Sequence, residues 1–119
     1  AHTPDALQNV IRTINEIRKK DQRLYVVVGC GGNRDATKRP EMAKIAVDGS
    51  DMAVLTSDNP RLEEPGAIIE QMKSGLEPGA RYLAITDRRE AIKAAVALAR
   101  PGDIILVAGK GHDTRTSAA

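Results

Sequence analysis

Short aliphatic runs separated by helical patterns constrain the fold of this chain more than any other feature. The first run, Leu24-Tyr25-Val26-Val27-Val28, is continuously apolar and mostly β-branched, which is typical of a strand buried on both faces of a parallel sheet. Similar runs occupy residues 52–56, 82–85 and 104–108. Because helical patterns alternate with these runs, the sequence predicts parallel strands joined by right-handed crossovers. We therefore expect an α/β, Rossmann-like three-layer domain with a mainly parallel sheet of about four strands.

Apolar residues recur at helical spacing in the segments between the runs. The predicted helices cover residues 3–20, 40–48, 65–73 and 87–99. Thr3 and Asp87 are suited to cap the first and the fourth helix, and Gly75 is suited to end the third. The apolar side chains expected to face inward include Ile17 in the first helix and Ile92, Val96 and Leu98 in the fourth.

Composition argues against several classes of function. Aromatic residues make up only 2% of the chain and hydrophobic residues 41%, so the core must be aliphatic. The scarcity of aromatic rings disfavours binding of single-stranded nucleic acid, whose bases usually stack on such rings. The net charge is only +2, and the basic residues between positions 18 and 23 are interpreted as a solvated helix end.

Cysteine and histidine usage also limits the possibilities. Cys30 is the only cysteine, so an internal disulfide is impossible and a cytoplasmic location is expected. One cysteine and two histidines in separate places do not suggest a zinc site. The sequence contains no apolar run long enough to cross a membrane and no signal-peptide pattern.

Three polar loops, at residues 29–35, 58–61 and 109–113, follow predicted strands. The carboxyl ends of parallel strands share one edge of the sheet, and open sheets bind ligands at that edge. Loops from distant parts of the chain are therefore predicted to form one site.

The side chains in these loops complement an amino acid. Arg34 and Arg61 suit a carboxylate, because a guanidinium can donate two parallel hydrogen bonds to it. Asn59 can both donate and accept a hydrogen bond, and Asp113 suits an ammonium group. No nucleophile with an adjacent base is evident, so no catalytic residue is predicted. The residues alone thus indicate an amino-acid- or carboxylate-binding module.

Other interpretations of these loops stay open. Gly29-x-Gly31 resembles the start of a dinucleotide fingerprint, but Arg34 stands where the third glycine belongs, which disfavours a nicotinamide site. Gly109-Lys110-Gly111-His112 lacks the spacing of a Walker A loop. Residues 58–61 suit a turn whatever their function, and Asp113 would equally suit a helix cap.

Taken together, the loops resemble the C-terminal domain of the Mur ligases, which build the peptidoglycan stem peptide. The resemblance runs from Ala1 to about Asp113. Its segments are Ala1-His2-Thr3-Pro4-Asp5-Ala6-Leu7, Gly29-Cys30-Gly31-Gly32-Asn33-Arg34-Asp35, Lys38-Arg39-Pro40, Thr56-Ser57-Asp58-Asn59-Pro60-Arg61 and Ala108-Gly109-Lys110-Gly111-His112. Each segment is weak alone, whereas their order in one chain is specific. The Asp-Asn-Pro-Arg form marks the family members that add meso-diaminopimelate.

The resemblance implies an enzyme domain, from an ATP-dependent ligase that adds meso-diaminopimelate to UDP-N-acetylmuramoyl-L-alanyl-D-glutamate in peptidoglycan synthesis. The substrate-binding residues that it implies are Arg34, Asn59, Arg61, Gly109 and Asp113, with His2 near the nucleotide. Asp113 stands where the family normally has a glutamate, which is one methylene longer. The alternatives are a lysine-adding or other Mur ligase domain, and a non-catalytic relative of the fold.

The resemblance also implies that the chain is one domain of a longer enzyme. Residues 1–113 are expected to form the amino-acid-binding domain, and residues 114–119 a polar, disordered tail. The N-terminal and central domains would be its partners, and the central domain would bind most of the ATP and Mg2+. We therefore expect this chain alone to hold no cofactor or metal and to turn over no ATP. Its expected ligands are diaminopimelate and the UDP-linked dipeptide, not nucleic acid or membrane.

Overall fold

A five-stranded sheet with helices on both faces forms the framework of the protein. The computed structural model describes residues 3–31, 36–58, 63–109 and 112–117, with the backbone alone for residues 109 and 112–117. The elements are α1 (Pro4–Ile17), β1 (Leu24–Cys30), a 3-10 turn (Ala36–Lys38), α2 (Arg39–Gly49), β2 (Met52–Ser57), α3 (Pro65–Lys73), β3 (Tyr82–Ala84), α4 (Arg88–Leu98), β4 (Ile104–Gly109) and β5 (His112–Ser117).

The strands lie in the order β3-β2-β1-β4-β5. The first four strands are parallel, with Val27 opposite both Val54 of β2 and Val107 of β4. The chain thus builds outward from β1 to β3 and then returns to place β4 on the other side of β1. This reversal is a topological switch point, where a crevice opens beyond the strand ends. The predicted parallel α/β fold is confirmed.

The fifth strand differs from the expectation for the C-terminal residues. Residues 114–117, expected to be a disordered tail, pair antiparallel with β4, from Val107↔Thr114 to Ile104↔Ser117. An edge strand is held by backbone hydrogen bonds to one neighbour, so it needs no apolar periodicity in its sequence. The two threonines also favour an extended backbone. Residues 118–119 lie outside the described residues.

The two faces of the sheet are packed unequally. On one face, α1, α2 and α3 cover a large cluster that includes Leu7, Val26, Val28, Met42 and Ile68. On the other face, α4 packs Ala91 and Ala95 against Tyr25, Val27, Val54, Ile105 and Val107. The strand β1 is buried on both sides, as its sequence predicts.

The buried face of α4 was predicted incorrectly. Ala91 and Ala95, spaced i and i+4, face the sheet, while Ile92 packs at the margin of the core. Val96 is 53% exposed and Leu98 is 46% exposed. Small alanines let the helix lie close to the sheet, and this turns the larger side chains away from it.

The helix ends agree closely with their sequence signals, with one exception. Thr3 caps α1 by accepting a hydrogen bond from the Ala6 amide at 3.2 Å, and Asp87 caps α4 by accepting from the Arg89 amide. The first helix ends at Ile17, however, and not near residue 20. Ile17 is 71% exposed: it is the last residue of α1, one turn along the helix beyond Ile14, where the buried stripe ends.

Candidate functional site

The carboxyl ends of the parallel strands lie side by side at one edge of the sheet. Cys30, the last residue of β1, is level with Ser57, the last residue of β2. Gly109 ends β4 one residue beyond the Val28↔Ala108 pair. The backbone therefore brings the segments that follow β1, β2 and β4 to the same edge, as predicted, and the first and last of them flank the switch point.

The described residues cover only part of the predicted site. Arg34, Asn59, Arg61 and His2 lie outside them. Gly109 ends β4 at the predicted edge, and the backbone of Asp113 pairs with Ala108 in β5. A position inside a strand rules out the helix-cap interpretation of Asp113. It remains a prediction that the five predicted residues converge on one ligand.

The loops after β1 and β2 begin in close contact. A Cβ atom on Gly29 would lie 3.1 Å from the Asp58 Cβ and 3.2 Å from the Thr56 Cγ2, so a side chain here would require these neighbours to shift by a few tenths of an ångström. The Asp58 amide donates a hydrogen bond to the Cys30 carbonyl at 3.0 Å, directly after the last residue pair of β1 and β2, Cys30↔Ser57. The two loops therefore leave the sheet together.

Asp58 carries the most unusual carboxylate at this edge. The residue is 7% exposed, and its Oδ2 atom is buried without a hydrogen-bond partner among the described residues. Buried polar atoms nearly always have partners, so this oxygen is an acceptor suited to a cation. The sequence interpretation treated Asp58 as a turn former. A carboxylate placed directly after a buried strand was the signal available for finding it.

The loop after β3 is tied to the end of β2. The hydroxyl groups of Thr56 and Ser57 each donate a hydrogen bond to the Thr86 carbonyl at 3.0 Å. This double contact places the start of α4, with Asp87 and Arg88, beside Asp58. The Arg88 Nε atom lies 4.0 Å from the Asp58 Oδ1 atom.

Arg39, the first residue of α2, is a second feature that the sequence interpretation did not single out. It is only 2% exposed, although arginine is almost never buried without partners. Its guanidinium donates hydrogen bonds to Glu63 at 2.9 and 2.8 Å, to Gln71 at 2.6 Å and to the Gly31 carbonyl at 2.9 Å. The hydrogen bond to Glu63 raises the pKa of Arg39, so the group is always charged.

Cys30 lies between these groups, but its thiol is unsuited to nucleophilic chemistry. Burial raises its pKa to about 11, while the Arg39 charge acts in the opposite direction. A thiol with such a pKa is almost fully protonated at neutral pH, and the protonated form is a poor nucleophile. The Cys30 thiol is therefore no candidate for covalent catalysis.

The described part of the chain contains neither a metal-ligand cluster nor a membrane-spanning helix. Its histidine, cysteine, aspartate and glutamate side chains form no group of three that could hold a metal ion. None of its helices combines the length and the hydrophobicity of a membrane span.

Comparison with known proteins places this edge in context. The family model described as "Mur ligase, glutamate ligase domain" matches residues 1–111. The protein of Cytophaga hutchinsonii named UDP-N-acetylmuramoyl-L-alanyl-D-glutamate–2,6-diaminopimelate ligase is 60% identical over 116 residues, covering 96% of this chain and 24% of its own. The protein of the same name from Chlorobium phaeobacteroides is 54% identical over 113 residues, covering 95% and 22%. The chain thus spans about a quarter of the length of these relatives.

Solved structures agree with the family match. A structure titled as a UDP-N-acetylmuramoyl-L-alanyl-D-glutamate–2,6-diaminopimelate ligase superposes with a TM-score of 0.84 at 50% identity, covering 94% of this chain and 23% of that one. Folylpolyglutamate synthase from Thermotoga maritima superposes with a TM-score of 0.60 at 16% identity, covering 88% and 23%. The second likeness concerns the fold alone.

Proposed function

The chain belongs to the Mur ligase family, and we propose that it is the amino-acid-binding domain of a ligase that adds meso-diaminopimelate to UDP-N-acetylmuramoyl-L-alanyl-D-glutamate in peptidoglycan synthesis. The observation that carries the proposal is the 60% identity, over nearly the whole chain, to a relative named for that activity. The Asp58-Asn59-Pro60-Arg61 sequence supports the choice of diaminopimelate.

The chemistry of the proposed ligand fits the residues at the sheet edge. Diaminopimelate has two amino-carboxylate ends, whereas lysine has one, so a selective site must recognise the additional carboxylate. We propose that Arg34 and Arg61 hold this carboxylate through paired hydrogen bonds, with Asn59 as a further donor. Gly109 and Asp113 would hold the neighbouring ammonium group. The unpartnered Oδ2 atom of Asp58, directly after β2, offers a further acceptor at the same edge of the sheet.

The position of the site also suits this role. The loop carrying Arg34 and the loop after Gly109 flank the switch point between β1 and β4, and Asn59 and Arg61 follow the adjacent strand β2. Ligands bind open α/β sheets at this position because no helix covers the crevice. An amino acid bound here would present its other amine outward, toward the substrate that it is to join.

In the whole enzyme, ATP with Mg2+ would supply the phosphoryl group that activates the glutamate carboxyl for attack by the amine. We propose that both are bound mainly by a central domain, with His2 of this chain near the nucleotide. We assign to this chain the role of binding and orienting the amino acid and of excluding water. The UDP-linked substrate and the single free cysteine suit a cytoplasmic enzyme.

Ligation by the full-length enzyme that contains this chain tests the proposal. We expect ATP-dependent joining of meso-diaminopimelate to the UDP-linked dipeptide, with lysine used far less efficiently. Preference for lysine would contradict the assigned substrate and favour a lysine-adding ligase. Absence of ligation with any amino acid would favour a non-catalytic relative. Phosphate release from ATP by the 119-residue chain alone would contradict the assignment of nucleotide chemistry to another domain.

A further inference from the structure

We propose that Arg39 is a positioning residue for the amino-acid site, and that its buried guanidinium fixes the two loops that carry Arg34 and Arg61. This inference rests on the proposed function of those loops. Arg39 itself has no assigned contact with the ligand. Its contacts are with residues that border both loops.

One contact closes the loop that carries Arg34. The Arg39 Nη2 atom donates a 2.9 Å hydrogen bond to the Gly31 carbonyl, eight positions earlier in the chain. The 3-10 turn Ala36–Lys38 leads directly into Arg39. One hydrogen bond therefore holds together Gly31 and the start of α2, the described residues on either side of positions 32–35.

A second contact holds the end of the loop that carries Arg61. Glu63, the first described residue after positions 59–62, accepts from Nη1 at 2.9 Å and from Nη2 at 2.8 Å. This is the bidentate arrangement in which the planar guanidinium and the carboxylate fix each other's orientation. The start of the same loop is held separately, because the Asp58 amide donates to the Cys30 carbonyl.

The guanidinium is in turn anchored to the helices. Arg39 opens α2, and its Nη1 atom donates a 2.6 Å hydrogen bond to the Gln71 side chain of α3. With the residue 2% exposed, water competes little for these contacts. The rigid fork thus ties Gly31 and Glu63, which border the two loops, to the framework of α2 and α3.

Burial of the arginine of this ion pair, whose Glu63 side chain is 32% exposed, has no evident advantage for stability alone. Replacing a buried ion pair by apolar residues of similar volume is often neutral or stabilising, because desolvation of the charges offsets their attraction. Lysine at this position would keep the charge but not the planar fork, so it could not hold Glu63 through two parallel hydrogen bonds while also bonding Gln71 and Gly31. Arg39→Lys therefore separates the positioning role from the charge.

The test is steady-state kinetics of the full-length enzyme with Arg39→Lys. We expect the KM for meso-diaminopimelate to rise roughly tenfold to a hundredfold, since small displacements of binding groups have effects of this size. The KM for the UDP-linked dipeptide should stay within about twofold, because Arg34 and Arg61 are assigned to the amino acid and not to that substrate. Lys44→Met, which removes the exposed ion pair with Asp48, is the matched control and should leave both constants unchanged.

A second variant distinguishes an effect on amino-acid binding from a folding defect. Glu63→Gln keeps the size of the side chain and one acceptor but removes the bidentate pair, and it should raise the same KM with a smaller change in melting temperature. If either folded variant shows a lower melting temperature or kcat but an unchanged KM for diaminopimelate, Arg39 has only a structural role and the inference fails. If the parent enzyme does not ligate diaminopimelate, both the proposed function and this inference fail.

Discussion

The Oδ1 atom of Asp58 lies 4.0 Å from the Nε atom of Arg88, and neither the Asp58 Oδ2 nor the Arg88 Nε has a hydrogen-bond partner in the described part of the chain. Asp58 directly follows strand β2 at the candidate site, and Arg88 begins α4. The two groups attract each other without forming a close pair. The Asp58 Oδ2 atom can therefore accept a hydrogen bond from a bound ligand.

Replacement of this charge should weaken binding of the amino acid. Asp58→Asn keeps the shape of the side chain but removes the negative charge that we assign to the ligand ammonium. Hydrogen bonds to charged groups contribute about 1.5–3 kcal/mol, so the KM for meso-diaminopimelate should rise roughly tenfold to a hundredfold. Asp48→Asn, at an exposed ion pair on α2, is the control. An unchanged KM in Asp58→Asn would remove this carboxylate from the site.

The arginine of the Asp-Asn-Pro-Arg sequence should determine the choice between substrates. Arg61→Ala should raise the KM for meso-diaminopimelate by an amount corresponding to about 1.5–3 kcal/mol, because a charged hydrogen bond to the distal carboxylate is lost. The same change should have little effect on any residual use of lysine, which lacks that carboxylate. Competition assays with both amino acids measure this ratio. Equal effects on the two amino acids would contradict recognition of the distal carboxylate by Arg61.

Gly75 should tolerate no side chain, because α3 and α2 approach closely there. A Cβ atom would lie 2.5 Å from the Pro40 carbonyl oxygen, which is backbone and cannot move aside easily. Gly75→Ala should lower the free energy of unfolding by about 1–3 kcal/mol, measured by urea denaturation. In the control Gly66→Ala, the nearest atom to the new Cβ is 3.9 Å away, so stability should stay equal or increase. Equal stability of the two variants would contradict this packing.

Acid should destabilise the fold through Asp103. Its Oδ2 accepts from the Arg100 amide at 2.8 Å and its Oδ1 from the Arg23 amide at 3.0 Å. These backbone hydrogen bonds hold the pKa of Asp103 below its ordinary value. A lowered folded-state pKa means that the stabilisation is present above the unfolded-state pKa of about 3.9 and is lost as pH falls through the folded-state pKa.

Asp103→Asn tests this dependence on pH. The variant should be less stable than the parent at pH 7, because the amide offers one acceptor where two are needed. The difference in unfolding free energy should shrink as the pH is lowered toward 2, where the parent carboxyl is protonated. A difference that is constant between pH 7 and pH 2 would contradict the role assigned to the charged form.

Local signals predicted the framework well because they act within a few residues. The Thr3 and Asp87 caps each depend on one side chain and an amide two or three residues further along. The apolar run of β1 determines burial on both faces, whatever its neighbours are. Gly75 was predicted to end a helix and does follow α3, but its close contact with Pro40 could not be inferred without the packing of two helices.

Features that depend on distant partners were missed for the same reason. The importance of Arg39 lies in Glu63 and Gln71, which are 24 and 32 positions away. Strand β5 forms because β4 has a free edge, and a polar sequence carries little sign of such pairing. For the candidate site, the parallel direction of the strands was predictable, so the edge that their carboxyl ends share was predictable too. The convergence of individual side chains on one ligand depends on loop conformations that periodicity does not encode.

The distances between the distal carboxylate of bound meso-diaminopimelate and the guanidinium groups of Arg34 and Arg61 test the central claim most directly. A crystal structure of the full-length enzyme with this amino acid would provide them. We predict that both guanidinium groups lie within about 4 Å of that one carboxylate, at the edge formed by the ends of β1, β2 and β4. A ligand bound elsewhere, or arginines that face different sides of the sheet, would contradict the account.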